Sequence, residues 1–240
     1  MPRFLLSMMF LLGWLAGLEA AAPAIPKYDY RYVHDPDGIG KFYMGREIAW
    51  VMGHQAADWL DRPERLKEER TDKLLDLLPL KKGMVIADVG AGSGYFSFPI
   101  AERVGASGKV YAVDIQKEMV ALIQQRIRVR GIKNVIPILG TTMDPLLPRD
   151  TVDLIFMVDV YHELSHPYEM TEAMVRALKP GGLLVFVEYR LEDPTVPIKL
   201  VHKMSKRQVI KEMSLHPLVY KRTIEDLPWQ HVLIFSKKAE

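Results

Sequence analysis

The chain has 240 residues, a length that suits one domain with additions. Apolar residues make up 49% and charged residues 26%, which excludes disordered and fibrous classes. Thirty-two Lys and Arg against 30 Asp and Glu leave +2, too balanced for a dedicated nucleic-acid binder, and the lack of cysteine excludes thiol catalysis, disulfides and cysteine-ligated metals.

The first two dozen residues read as an address. Phe4 to Leu18 is an uncharged apolar run behind Arg3, followed by Ala20-Ala21-Ala22-Pro23-Ala24. A basic start, a short apolar core and small residues at the exit make a secretory signal. The run falls short of the about 20 residues a spanning helix needs. Residues 1–24 are therefore expected to be a signal peptide, cleaved after Ala20 or Ala24. The mature chain is expected to be periplasmic or secreted, without a stable membrane span; an uncleaved N-terminal anchor is the alternative.

Residues 25–79 form an aromatic leader in which Pro36, Gly38, Gly40 and Gly45 interrupt regular structure. A helix is expected over 46–60 and another over 63–78, with Asp61 as a cap and Pro79 as the stop. Residues 80–240 then alternate. Strands are expected at 84–89, 109–115, 135–139, 152–158 and 183–188. Helices are expected up to Val104, over 117–130 and over 168–178, with Pro180-Gly181-Gly182 as a turn. Such alternation predicts a parallel sheet covered by helices on both faces. A helix over 206–213 precedes two segments, 219–224 and 231–235, close enough to pair as a hairpin.

The first of these strands ends in Asp88-Val89-Gly90-Ala91-Gly92-Ser93-Gly94-Tyr95. Its glycines let backbone approach a ligand, and in a doubly wound sheet this loop lies at the ligand-binding edge. Asp114, ending the next strand, suits two ribose hydroxyls. The dinucleotide fingerprint G-x-G-x-x-G needs glycine at 95, where this chain has Tyr95. Asp88 just ahead of the loop disfavours a pyrophosphate and suits a cationic ligand such as S-adenosylmethionine.

From about Leu80 to Gly182 the chain resembles the class I S-adenosylmethionine-dependent methyltransferases. The resemblance is carried by the Asp88–Gly94 loop, Asp114, Asp153–Asp159 and Leu178-Lys-Pro-Gly-Gly182. More narrowly it is similar to a group of bacterial, often exported, methyltransferases, through Tyr43-Met-Gly-Arg-Glu-Ile-Ala49, Val158-Asp-Val-Tyr-His-Glu163 and Leu227-Pro-Trp-Gln-His231. The fold this implies is α/β: a doubly wound, Rossmann-like seven-stranded sheet, mostly parallel, with a C-terminal antiparallel hairpin.

The resemblance implies S-adenosylmethionine as cofactor. Gly90, Ala91, Gly92 and Gly94 would line its methionine and ribose, and Asp88 would organise the amino group through water. Asp114 would hold the ribose hydroxyls, with Ile115 under the adenine and Thr141 and Thr142 near its edge. Asp159 and Val160 would lie under the methionine and face the acceptor. The family often has an acidic residue after the glycine of strand three; here Gly140 is followed by Thr141.

Methyl transfer from a sulfonium is an in-line displacement, so the protein mainly aligns the acceptor, which can supply about 7–11 kcal/mol of the barrier. His162 is the candidate base, with Glu163 and Tyr161 beside it; packing in the loop is its structural alternative. Tyr43, Arg46, Glu188, Trp229 and His231 are candidates for the substrate edge, each against a structural role. His54, His162, His166, His202, His216 and His231 show no pair with metal-ligand spacing, so no metal is expected. The basic stretch Lys199–Arg207 reads as a solvated helix face.

A methyltransferase with a small-molecule acceptor and no nucleic acid is the leading expectation; oligomeric state is not legible. The donor is made in the cytosol, so export sits uneasily with catalysis. Two rivals stay open: an exported non-catalytic S-adenosylmethionine or nucleoside-binding module, and an NAD(P)-dependent oxidoreductase.

Overall fold

The computed structural model describes residues 28–239, and the signal-peptide reading of residues 1–24 lies outside them. Among the described residues, no helix is long and apolar enough to cross a membrane.

The leader begins as a three-stranded antiparallel sheet of β1 (Tyr28–Tyr30), β2 (Gly38–Tyr43) and β3 (Arg46–Ala49). This corrects the helix expected from residue 46. Tyr43 pairs with Arg46 across a two-residue loop, Met44-Gly45, with φ of 50° and 101°. Two consecutive left-handed residues make the turn whose twist matches a tight hairpin.

Three short helices follow: α1 (Ala57–Leu60), α2 (Arg65–Glu69) and α3 (Thr71–Leu77). The single helix expected over 63–78 breaks at Arg70, which adopts a φ of 52°. Asp61 ends α1 rather than capping the helix that follows, whose N-cap is Glu64. Asp61 accepts hydrogen bonds from Ser93 Oγ (2.8 Å) and Arg126 Nη2 (2.6 Å), tying the leader to the glycine loop.

The main sheet comprises β4 (Val85–Val89), β5 (Lys109–Asp114), β6 (Val135–Leu139), β7 (Val152–Val158), β8 (Leu178–Tyr189), β9 (Leu218–Ile224) and β10 (Gln230–Lys237). Its order is β6-β5-β4-β7-β8-β10-β9, with β10 alone running opposite to the other six strands. The seven-stranded doubly wound sheet is therefore as expected. Pro180-Gly181-Gly182 lies within β8 rather than before it; a register shift opposite Val152–Leu154 and a φ of 74° at Gly181 absorb it.

Helices α4 (Ser97–Val104) and α5 (Lys117–Arg130) are joined by α6 (Pro167–Ala177) and α7 (Lys206–Met213). Alternate residues of β4 show why two layers form. Ile86 packs with Leu74, Ile100 and Ile123 on one face, while Ala87 packs with Met170, Met174 and Val209 on the other. A strand buried on both faces reads as a nearly continuous apolar run, which here breaks only at Asp88 near its end. Chain order reverses at β4, where the chain leaves for β5 on one side and β7 on the other, and such folds open a crevice at that point.

Candidate functional site

A cavity of about 470 Å³ lies over the carboxyl ends of β4, β5 and β7. Met52, Trp59 and Leu60 of the leader form its far wall, so the sheet supplies the floor and the N-terminal segment the cover. Met52 N–H donates to Glu163 Oε1 (3.2 Å) and His54 N–H to Gln116 Oε1 (2.8 Å), fastening the cover on both sides.

Gly90 and Gly92 line the cavity, as expected. Gly90 has a φ of +78°, and a Cβ there would stand 2.5 Å from Val160 Cγ2. Ala91 and Gly94 lie off the wall. Ala91 is buried in the core, and a Cβ on Gly94 would strike the Phe98 ring, so that glycine serves the loop's packing on α4. Asp88 also departs from expectation. It is buried behind the loop, where its Oδ2 accepts from Ser97 Oγ at 2.6 Å, and burial pushes its carboxyl up to about 7.

Asp114 lies at the cavity as expected. Its Oδ2 accepts from Gly92 N–H and its Oδ1 from Gln116 N–H, both at 2.9 Å, and each oxygen keeps a second lone pair. Burial raises its pKa. Ile115, Thr141 and Thr142 line the same end. The Thr141 hydroxyl is engaged with the backbone of Asp144, which fixes the turn after β6.

The end of β7 is the second anchor. Asp159 holds a φ of 55° and is half-buried; Gln230 Nε2 donates to its Oδ2 at 3.2 Å, and its Oδ1, shielded from solvent, has no partner among the described residues. Burial raises its pKa far above the ordinary value, with Glu69 and Glu188 adding to the effect. Val160, His162 and Glu163 follow on the wall. His162 Nδ1 stands 2.6 Å from Glu188 Oε2, and its Nε2 stands 3.2 Å from His202 Nδ1. Glu163, also drawn out of water, is pushed up to about 7.

Several expected site residues face elsewhere. Tyr161 is fully buried, and its hydroxyl donates to Glu212 at 2.6 Å. Arg46 Nε donates to the same carboxylate (2.7 Å) and Nη1 to the His162 carbonyl (3.3 Å), so it braces the site from behind. Tyr43 is buried in the core beside them. Glu188 lies behind His162. His231 is buried on β10 opposite Glu188, where burial lowers its pKa, and Trp229, just before that strand, does not line the cavity.

Other wall residues escaped sequence reasoning. Arg65 and Tyr189 both contact Glu69, through Nε at 2.8 Å and the hydroxyl at 3.2 Å. Lys199 and His202 come from the segment after β8. That segment returns because Met204 N–H bonds to Tyr189 O (2.9 Å) and Leu191 N–H to Met204 O (3.2 Å). The basic stretch is thereby occupied: Lys199 pairs with Asp37, Lys203 Nζ donates to the Asp193 carbonyl, and Lys206 pairs with Glu225.

A glycine loop, a strand-end aspartate and this strand order coincide with a family model described as a methyltransferase domain, which matches residues 80–232. The chain belongs to that family. A solved S-adenosylmethionine-dependent methyltransferase from Aquifex aeolicus superposes with a TM-score of 0.73 at 29% identity, covering 78% of this chain and 100% of that one. The demethylmenaquinone methyltransferase of Geobacillus sp. (strain WCH70) is 31% identical over 109 residues, 45% of this chain and 47% of that protein. The protein-L-isoaspartate O-methyltransferase of Pyrococcus horikoshii is 34% identical over 112 residues, 47% of each. The chain thus matches about half the length of these curated relatives.

Proposed function

We propose that the enzyme methylates a small molecule held in the cavity between the glycine loop and the His162–Glu163 turn. The lining of that cavity carries the reading. Its apolar walls, among them Val51, Met52, Leu164 and Ile198, converge on a few polar groups, which is how small-molecule sites are built. Of the two curated relatives, one is named for a quinone and one for a residue in proteins, and an apolar-walled cavity favours the first kind of acceptor.

The residues fit the donor. Gly90 leaves room where a side chain would collide with Val160, Asp114 retains lone pairs for hydroxyls, and Asp159 Oδ1 suits an ammonium. Bound there, S-adenosylmethionine supplies a methyl group already activated by its positive sulfur. The protein's work is then placement. Leu60 and Met52 exclude water, Glu188 fixes the His162 ring, and His162 with Glu163 receives the polar end of the acceptor. Residues 1–24 carry the secretory pattern, so the site is proposed to act after export; an intact Met1 on the cellular protein would contradict cleavage.

Radiolabelled S-adenosylmethionine mixed with protein-free and with protein extracts tests the acceptor class. Label is expected in the organic-soluble small-molecule fraction. Label confined to protein would overturn it. Calorimetry should show one S-adenosylhomocysteine per chain and no NAD; NAD binding alone would favour the oxidoreductase, and donor binding without any methylated product the non-catalytic module.

A further inference from the structure

We propose that His162, Glu163 and His202 bind a divalent first-row transition-metal ion whose remaining coordination positions face the cavity. His162 Nε2 and His202 Nδ1 stand 3.2 Å apart, and Glu163 Oε1 lies 3.9 Å from each. Ligand atoms about 2.1 Å from one ion stand about 3.0–3.4 Å from one another. The two nitrogens already have that separation, and the carboxylate reaches it by a side-chain shift of under about 1 Å.

The surroundings match the ligand set. The other His162 nitrogen faces Glu188 Oε2 at 2.6 Å, and Glu188 Oε1 is itself held by the Tyr161 N–H at 2.8 Å. A carboxylate on Nδ1 keeps the proton there and leaves the Nε2 lone pair pointing at His202, the arrangement seen behind metal-bound histidines. A histidine pair alone accounts for the 3.2 Å contact. It does not account for a largely buried carboxylate within reach of both rings, bound among the described residues only by the Met52 N–H. Two imidazoles and one carboxylate favour transition metals over magnesium or calcium.

No metal is expected from linear spacing because His202 is 40 residues from His162. Pairing of Met204 with Tyr189 folds that turn back over the cavity.

Three protein ligands leave positions for an acceptor, and this part rests on the methyl-transfer reading. An acceptor hydroxyl bound at such a position is acidified and releases its proton to solvent. Its oxygen forms the new C–O bond as the donor's C–S bond breaks, with that electron pair staying on sulfur.

Chelator-treated full chain titrated with cobalt(II) tests the site. One ion per chain is expected, with visible d–d absorption that zinc abolishes. His202→Ala and Glu163→Gln should each weaken binding at least tenfold, and Glu188→Gln by about ten- to a hundredfold. Thermal melts confirm that each variant is folded; Glu163→Gln, nearly isosteric, guards against collapse of the alanine variant. A folded wild type that takes up no cobalt, or unchanged affinity in both ligand variants, would overturn the proposal. S-adenosylhomocysteine binding without cobalt binding removes the metal site alone. Cobalt binding without S-adenosylhomocysteine binding removes the methyl-transfer reading and leaves the site. Methylation undiminished by chelation would overturn the acceptor role.

Discussion

A Cβ on Gly90 would stand 2.5 Å from Cγ2 of Val160, so the ends of β4 and β7 meet with no space for a side chain between them. The loop holds a left-handed φ of 78° at that point. Gly90→Ala should cost about 2–4 kcal/mol from backbone strain plus overpacking. The cost should appear as a lowered urea midpoint together with weakened S-adenosylhomocysteine binding. An alanine variant with both values unchanged would show that the two strand ends are not closed on each other.

Asp114 is the polar anchor opposite that glycine. Asp114→Ala should weaken donor binding about ten- to a hundredfold, the size of one or two lost hydrogen bonds to a charged group. Calorimetry with S-adenosylhomocysteine reads this directly; an unchanged dissociation constant would place the ribose elsewhere.

Asp88 makes a pH prediction in the absence of donor. Its folded pKa of about 7 lies far above that of an exposed aspartate because the carboxyl is buried. Between about pH 4 and 7 the folded chain therefore holds a proton that the unfolded chain has lost. Stability from this group is complete at acid pH and is lost as pH rises through 7. Asp88→Asn has no such proton to lose, so its stability relative to wild type should improve from pH 4 to 8, by about 2–4 kcal/mol at most. A difference that stays flat with pH in chemical denaturation would contradict a buried, protonated Asp88.

Tyr161 precedes His162 yet turns its hydroxyl away, to Glu212. Tyr161→Phe should lose about 1–3 kcal/mol of stability, the worth of a buried hydrogen bond to a carboxylate. Turnover should stay within a few-fold of wild type. A loss of turnover of a hundredfold or more at unchanged stability would return Tyr161 to the reacting centre.

What was legible in the sequence follows a physical rule. The helix Lys117–Arg130 and the strands Val135–Leu139 and Val152–Val158 form where expected, because periodicity and terminal glycines are local properties. The hairpin of β2 and β3 was missed because it depends on a left-handed Met44 beside Gly45, and the break at Arg70 depends on the same conformation at another non-glycine residue. Gly90, Gly92, Asp114 and Asp159 are legible as candidate site residues because each lies at or just past a strand end on the same edge of the sheet. Arg65 and His202 were not, since only the folding of α2 and of the Met204 turn onto that edge brings them there. For Tyr43, Arg46 and Glu188 the sequence leaves a substrate edge and a structural role both open; the fold makes them buried braces, a distinction that depends on which way each side chain turns.

The most direct measurement is a crystal structure with S-adenosylhomocysteine. Adenosine should lie against Ile115 with its ribose on Asp114, and the sulfur should face His162 across the open part of the cavity. Ligand density outside this cavity, or a sulfur turned away from His162, would contradict the site described.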